Sequence, residues 1–310
     1  MKIAFMYAGQ GAQKVGMGQD LYENCKSFAD TIDRASLDFD AKTLMFEGPM
    51  ETLSTTRYTQ PCMALMAAGI TNALYEAGIK PDVACGLSLG EYSALYSAGV
   101  WDEKTFVDLV AFRGQQMEAA AEAAGETKMS AIMGLASDKL MEVCESVAAS
   151  TGKYVTVSNF NCTGQYVICG EVEAVEAAEV AAKEAGAKRA IALKVSGPFH
   201  TKYMKSAGDA LAEKFSQIEF KSMEVPVIFN CTAAPLAEND NIADMLVKQV
   251  QSSIYMENTI KYLKSIGVDT VVEIGPGKTL SGFVGKTVDG ITCYVVEDMA
   301  GLENVIENLK

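Results

Sequence analysis

The sequence predicts an α/β protein with a short buried parallel sheet, interrupted by a second, smaller β-rich unit. Three observations carry this prediction. Residues 2–8, KIAFMYA, are an apolar run that stops at Gly9-Gln10-Gly11. Residues 83–85 are another, followed at once by Gly86-Leu87-Ser88-Leu89-Gly90 and then by Tyr92, Leu95 and Tyr96 at helical spacing as far as Gly99. Between residues 128 and 196 the pattern changes to the order strand, helix, strand, strand, helix, strand, a ferredoxin-like arrangement.

Composition bounds the rest. The 310 residues are 49% apolar and 21% charged, enough for one large or two modest domains around a sizeable core. A net charge of −14 argues against nucleic acid or an anionic membrane as partner, so an anionic substrate would need a local cation. The eight cysteines are scattered without a C-x-x-C pair and read as reduced, buried thiols of a cytosolic protein, neither a zinc site nor a disulfide framework. The run after Met1 is too short for a signal-peptide core, and no apolar stretch is long enough to span a membrane.

Taken in order, residues 2–8 form a buried first strand whose glycine-flanked loop, 9–13, is either a plain turn or a place where backbone N–H groups approach a ligand. Residues 20–39 have helical periodicity. Thr59-Gln60-Pro61 starts a long helix running to Gly78, with Met63, Met66, Ala67 and Ile70 on its apolar face. The strand at 83–85 then enters G-x-S-x-G. In a strand–turn–helix context this pattern is a nucleophile elbow, with Ser88 projecting at a helix N-terminus that favours a developing oxyanion; the alternative is a glycine-rich turn whose serine is only an N-cap. Residues 103–124 form a helix that places Arg113 among Leu109, Val110 and Phe112. A cation there needs an anion, either an Asp or Glu of this acidic chain or the carboxylate of a ligand held by its fork.

The inserted unit comprises strands at 129–135, 154–160, 165–169 and 189–195 with helices at 137–149 and 171–185. The chain returns at Gly197-Pro198-Phe199-His200, which carries its only histidine. A serine nucleophile requires a base near neutral pH, and no other imidazole exists. Beyond it lie a helix at 207–215, a strand at 225–230, helices at 242–250 and 257–266, and a strand at 270–274. The Gly275-Pro276-Gly277-Lys278 loop that follows lacks phosphate-loop spacing and reads as a structural turn before a helix from Thr279. A strand at 293–296 and a helix at 302–309 close the chain.

Six ordered blocks together resemble the malonyl-coenzyme A:acyl carrier protein transacylases of fatty acid synthesis, along nearly the whole chain. They are Gly9-Gln10-Gly11-Ala12-Gln13; Gly86 to Glu91; Phe112-Arg113-Gly114; Ser158-Asn159-Phe160-Asn161 before Gly164-Gln165; Gly197-Pro198-Phe199-His200; and Gln249 followed by Glu273-Ile274-Gly275-Pro276-Gly277. The resemblance implies an α/β-hydrolase-like large domain (1–127 and 197–310), a ferredoxin-like insert (128–196) and an active site between them. It implies malonylation of Ser88, His200 as general base and then acid, an oxyanion hole from the backbone N–H groups of Gln10 and Leu89, and Arg113 on the malonyl carboxylate. Gln249 would orient the histidine through its carbonyl. It further implies ping-pong transfer from malonyl-CoA to the phosphopantetheine thiol of an acyl carrier protein, with no metal or other cofactor.

Phe199 beside His200 should crowd the α-carbon and favour malonyl over methylmalonyl. Two positions depart from the family pattern: Leu87 stands where a histidine usually precedes the serine, and Ser253-Ile254-Tyr255-Met256 stands in place of Pro-Val-Arg-Trp. Rival readings are a serine acyl hydrolase or thioesterase, which leaves Arg113 unexplained, and a non-catalytic scaffold of a synthase assembly. Lys188, Arg189, Lys194, Lys202 and Lys205 are the expected basic patch for an acidic carrier, or else a solvated face.

Overall fold

The apolar runs become strands because both their faces are covered. In the computed structural model, which describes residues 1–193 and 197–310, β1 (Ile3–Tyr7) is buried at every position, as are β2 (Val83–Gly86) and β8 (Thr270–Ile274). Between them in sequence come β3 (Thr127–Met133), β4 (Val155–Cys162), β5 (Gln165–Glu171), β6 (Arg189–Ala192) and β7 (Ile254–Tyr255), and β9 (Thr292–Val296) is last. The first sheet is parallel, in the order β2-β1-β8-β9, with Phe5 level with Ala84 on one side and Val272 on the other. A parallel sheet buried by helices on both faces leaves no reason for alternation, so its strands read as continuous apolar runs. Edge strand β9 is only partly buried.

The second sheet has the order β6-β3-β5-β4-β7. Strands β3 to β6 pair antiparallel, with helices Ser137–Thr151 and Val172–Glu184 between them as the sequence order requires. Leu140, Cys144, Val175 and Ala178 of those helices share a core with Ile132, Val157 and Ile168 of the strands. Met129, Val167 and Cys169 belong instead to the main core, so one face of this sheet lies against the larger body. β7, from a distant part of the chain, adds a parallel edge beside β4, with Asn159 level with Ile254. Its two residues are too short a run for periodicity to reveal.

The expected strand at 225–230 is absent. That segment lies along β2 with only a single bridge, Ala84 to Val227. Ala84 N donates to the Pro226 carbonyl and Ile228 N to the Ala84 carbonyl, both at 2.9 Å. Pro226 has no N–H to extend the ladder, and the chain turns back at Phe229, whose amide bonds Ala234 O. The helical period at 20–39 is split into Gln19–Asn24 and Lys26–Arg34 by the extended backbone of Cys25. The long helix begins earlier than expected, as Thr56–Glu76, with Pro61 inside it. The last residues of the predicted strand at 189–195, Lys194 included, fall outside the described residues.

The Gly275-Pro276-Gly277 loop is a structural turn, and Glu273 explains it. This buried carboxylate accepts from Leu280 N (2.8 Å) and Ser281 N (2.7 Å), filling the start of helix Thr279–Thr287. The helix N–H groups that a phosphate would use are taken by the protein's own carboxyl oxygens.

Candidate active site

The loops after β1 and β2 lie side by side at the carboxyl ends of neighbouring parallel strands, where ligands of such sheets are held. The second loop is the elbow. Ser88 has φ 54° and ψ −101°, and helix Leu89–Ser97 starts at the next residue. Its glycines are a packing necessity. A Cβ on Gly86 would stand 2.1 Å from the Gly90 backbone, one on Gly90 would stand 2.2 Å from the Tyr7 carbonyl oxygen, and one on Gly9 would stand 2.5 Å from Leu87 O. Backbone cannot yield as a flexible side chain can. Gly86→Ala is therefore expected to destabilise the protein by about 3 kcal/mol, read as a lower urea midpoint. An unchanged midpoint would mean that strand and helix can separate at the elbow without loss.

His200 closes the turn after Phe199 with φ 60°, and its ring is buried. Nε2 lies 2.7 Å from Ser88 Oγ, and Nδ1 lies 2.9 Å from the backbone oxygen of Gln249. A carbonyl only accepts, so Nδ1 carries the proton and Nε2 is free to take one from the serine. Burial holds the imidazole pKa down at about 4, the Gln249 carbonyl opposing and Arg113 adding to the depression. The resting base is neutral.

Arg113 is wholly buried, as its place on an apolar helix face predicts. It donates to Gln60 Oε1 (2.7 Å), Gln249 Oε1 (3.0 Å) and Ser88 Oγ (3.1 Å), and lies over the Tyr92 ring at 5.0 Å. The alternative of an internal ion pair is not realised: among the described residues no carboxylate bridges to it. Glu91, the nearby acid, has its own pKa pushed up to about 8 by burial, the Asn230 amide and Arg113 opposing, so near neutral pH it is largely uncharged. A buried guanidinium is thus left among the neutral oxygens of Gln60, Gln249 and Ser88, with no charged partner among the described residues, an environment that favours an added anion.

Gln249, buried, touches every part of this group. Its backbone oxygen holds His200, its Oε1 accepts from Arg113, and its Nε2 donates to the Ser88 carbonyl at 2.7 Å. A cavity of about 170 Å³ opens over Ser88 and His200. Gly9, Gln10, Leu87 and Phe199 line one part of it, and Met129, Asn159, Asn161 and Val167 of the second sheet line another. Arg113 is not on this wall; it lies behind Ser88 and Gln60. Leu89 is buried at the first position of its helix, where backbone N–H groups have no intrahelical partner.

Two contributors escaped the sequence reading. Gln60 bonds Arg113 and lies 3.3 Å from Gln10 Oε1, and Asn230 accepts from Ser88 N at 2.7 Å. Asn230 is a polar residue in an apolar stretch, the same signal that Arg113 gives, but it reads as a strand end, and Gln60 reads as part of a helix start.

A serine hydroxyl held against a neutral imidazole is an arrangement suited to attack on a carbonyl carbon, and the fold and site together point to an acyl-transferring enzyme. Residues 4–305 match the acyl transferase domain family. The chain is 41% identical to the malonyl CoA-acyl carrier protein transacylase of Bacillus subtilis (strain 168), covering 100% of this chain and 98% of that one, and 39% identical to that of Escherichia coli (strain K12), covering 99% of each. It superposes with a TM-score of 0.95, at 38% identity over 99% of this chain and 100% of the other, on a malonyl-transacylase solved in complex with a type II PKS acyl-carrier protein. The chain belongs to the malonyl CoA-acyl carrier protein transacylase family.

Proposed function

We propose that this enzyme transfers malonyl from malonyl-CoA to the phosphopantetheine thiol of an acyl carrier protein through malonyl-Ser88. The observation that carries the reading is that one oxygen, Ser88 Oγ, lies within hydrogen-bond reach of both a neutral base, His200, and an unpaired buried cation, Arg113. His200 Nε2 takes the serine proton as Oγ attacks the thioester carbonyl. The oxyanion gathers at the Leu89 and Gln10 amides. The carbon–sulfur bond breaks and the imidazolium returns its proton to the leaving CoA sulfur. In the second half His200 takes the proton of the carrier thiol, whose sulfur attacks the acyl-enzyme, and Ser88 recovers a proton. Arg113 holds the malonyl carboxylate, exchanging its bond to Gln60 or Ser88 for a charge-assisted one. Every proton and charge in this cycle is handled by residues of the chain itself.

The four-strand order β6-β3-β5-β4 supports a ferredoxin-like insert (128–196), set into an α/β-hydrolase-like body of 1–127 and 197–310. Phe199 on the cavity wall supports malonyl over methylmalonyl, and Leu87 on the same wall replaces a polar neighbour of the nucleophile with an apolar one. For carrier docking, Lys188, Arg189 and Lys202 are exposed, Lys202 lies 4.1 Å over the Tyr154 ring, and Lys205 is paired with Asp209 at 2.7 Å. No helix among the described residues is long and apolar enough to cross a membrane, and the scattered unpaired cysteines support a cytoplasmic setting.

The test is intact-mass analysis after mixing with malonyl-CoA and then with carrier protein. A malonyl adduct absent in Ser88→Ala, which passes to the carrier thiol, is the expected result. Free malonate as the product, with nothing on the carrier, would make the protein a hydrolase; neither adduct nor turnover would make it a scaffold.

A further inference from the structure

We infer that Asn230 is a positioning residue for the nucleophile, and the joint through which the second sheet fixes where Ser88 stands. The inference rests on Ser88 being the nucleophile. Asn230 is 1% exposed and uses every hydrogen-bonding group it has. Its Oδ1 accepts from Ser88 N and its Nδ2 donates to the Gly86 carbonyl, each at 2.7 Å, so one side chain clamps the elbow on both sides of Leu87. Its own amide donates at 2.5 Å to the Glu91 carboxyl, in the first turn of the elbow helix. Its carbonyl accepts at 2.8 Å from Tyr255 N in β7, which pairs with β4, the strand that brings Asn159 and Asn161 to the cavity.

These bonds answer two needs. The positive φ of Ser88 is a strained backbone for a side chain other than glycine, and it persists only where the surroundings over-determine it. With the amide of Ser88 taken by Oδ1, the serine cannot turn that N–H toward the cavity, and the oxyanion falls to Leu89 and Gln10. Asn230 does not line the cavity, so it can act on the placement of Oγ without touching substrate. Loss of the clamp lets the elbow relax away from the 2.7 Å contact with His200.

The test is single-turnover malonylation over a range of malonyl-CoA concentrations, on proteins whose folding is checked by thermal melting. In Asn230→Ala the saturating rate is expected to fall about 100-fold while the half-saturating concentration stays within about threefold. Asn230→Asp, the same in shape, still accepts from Ser88 N but sets a second oxygen against the Gly86 carbonyl. When protonated, that oxygen donates and restores the clamp. Of the titratable residues, Glu91 and Tyr255 bond Asn230 directly, and Glu91 interacts in turn with Cys85, Cys231 and Arg113. Both thiols are pushed up by burial, so they remain neutral below pH 8. The Asp variant's rate, taken as a ratio to wild type at each pH, is expected to rise at least about tenfold between about pH 8 and about pH 5.5.

A saturating rate in Asn230→Ala within about threefold of wild type, or an unchanged rate with a raised half-saturating concentration, would overturn the inference. If the Ala variant does not fold, the Asp variant decides, and a ratio that does not change with pH would overturn it. Failure of wild type itself to be malonylated would overturn the reading of Ser88 together with this inference, whereas normal wild type beside an unaffected Ala variant overturns this inference alone.

Discussion

Replacing His200 by Ala is expected to slow malonylation of Ser88 about 10⁴-fold, with malonyl-CoA binding little changed. The chain has no second imidazole, and the other titratable groups near Ser88 are unsuited: Arg113 is a cation and Glu91 is largely protonated near pH 7. The same residue sets the acid side of the pH profile. Only the neutral ring accepts the serine proton, and burial brings its pKa down to about 4. The rate of acylation should therefore hold from neutral pH to about pH 5 and fall as pH drops through about 4. Single-turnover quenching at several pH values measures it. An inflection near the ordinary histidine value, about 6.5, would mean that water reaches the ring and that desolvation does not set its pKa.

Arg113→Ala is the second large effect, and it is one of selectivity. Removing one partner of a buried, hydrogen-bonded charge pair costs about 2–5 kcal/mol, or roughly 30- to several-thousand-fold in malonyl transfer. Acetyl has no carboxylate and loses no such bond. In the wild type it leaves the guanidinium buried against neutral oxygens only, so acetyl should gain relative to malonyl by about 10³-fold in kcat/KM. Arg113→Lys keeps the charge and loses the fork, and should fall between the two. The comparison is kcat/KM for malonyl-CoA and acetyl-CoA on all three proteins. If both substrates fell equally in Arg113→Ala, the guanidinium would serve only to hold Ser88 Oγ, and carboxylate recognition would have to lie elsewhere.

Much of the candidate site was legible because the residues that the structure brings together there are rare or misplaced types. A lone histidine, an arginine among leucine and valine, and a serine between two glycines stand out without any structure. The parallel strands were legible for a similar reason, since burial on both faces leaves an unbroken apolar run. The segment 225–230 has the same run and is not a strand, because Pro226 and the turn at Phe229 remove the ladder that apolarity alone suggests. Gln60 and Asn230 are not legible in the same way, because an amide at a helix start or strand end is ordinary until its partner is known.

By itself the sequence determined the residue types available for chemistry and the local backbone that presents them: the elbow, the apolar helix around Arg113, the turn before His200 and the βαββαβ order of the insert. These follow from interactions between near neighbours in the chain. Only the tertiary structure decided which groups meet. Ser88 and His200 are 112 positions apart, and Ser88 and Gln249 are 161 apart. The resemblance to a known family pointed to the Gln249 carbonyl, but only the structure places that carbonyl, and no carboxylate among the described residues, against the imidazole, 2.9 Å from Nδ1. Every residue owns such a carbonyl, so side-chain identity cannot announce its use. The charge state of the site was decided there too, because the pKa values of His200 and Glu91 depend on how completely the fold removes water from them.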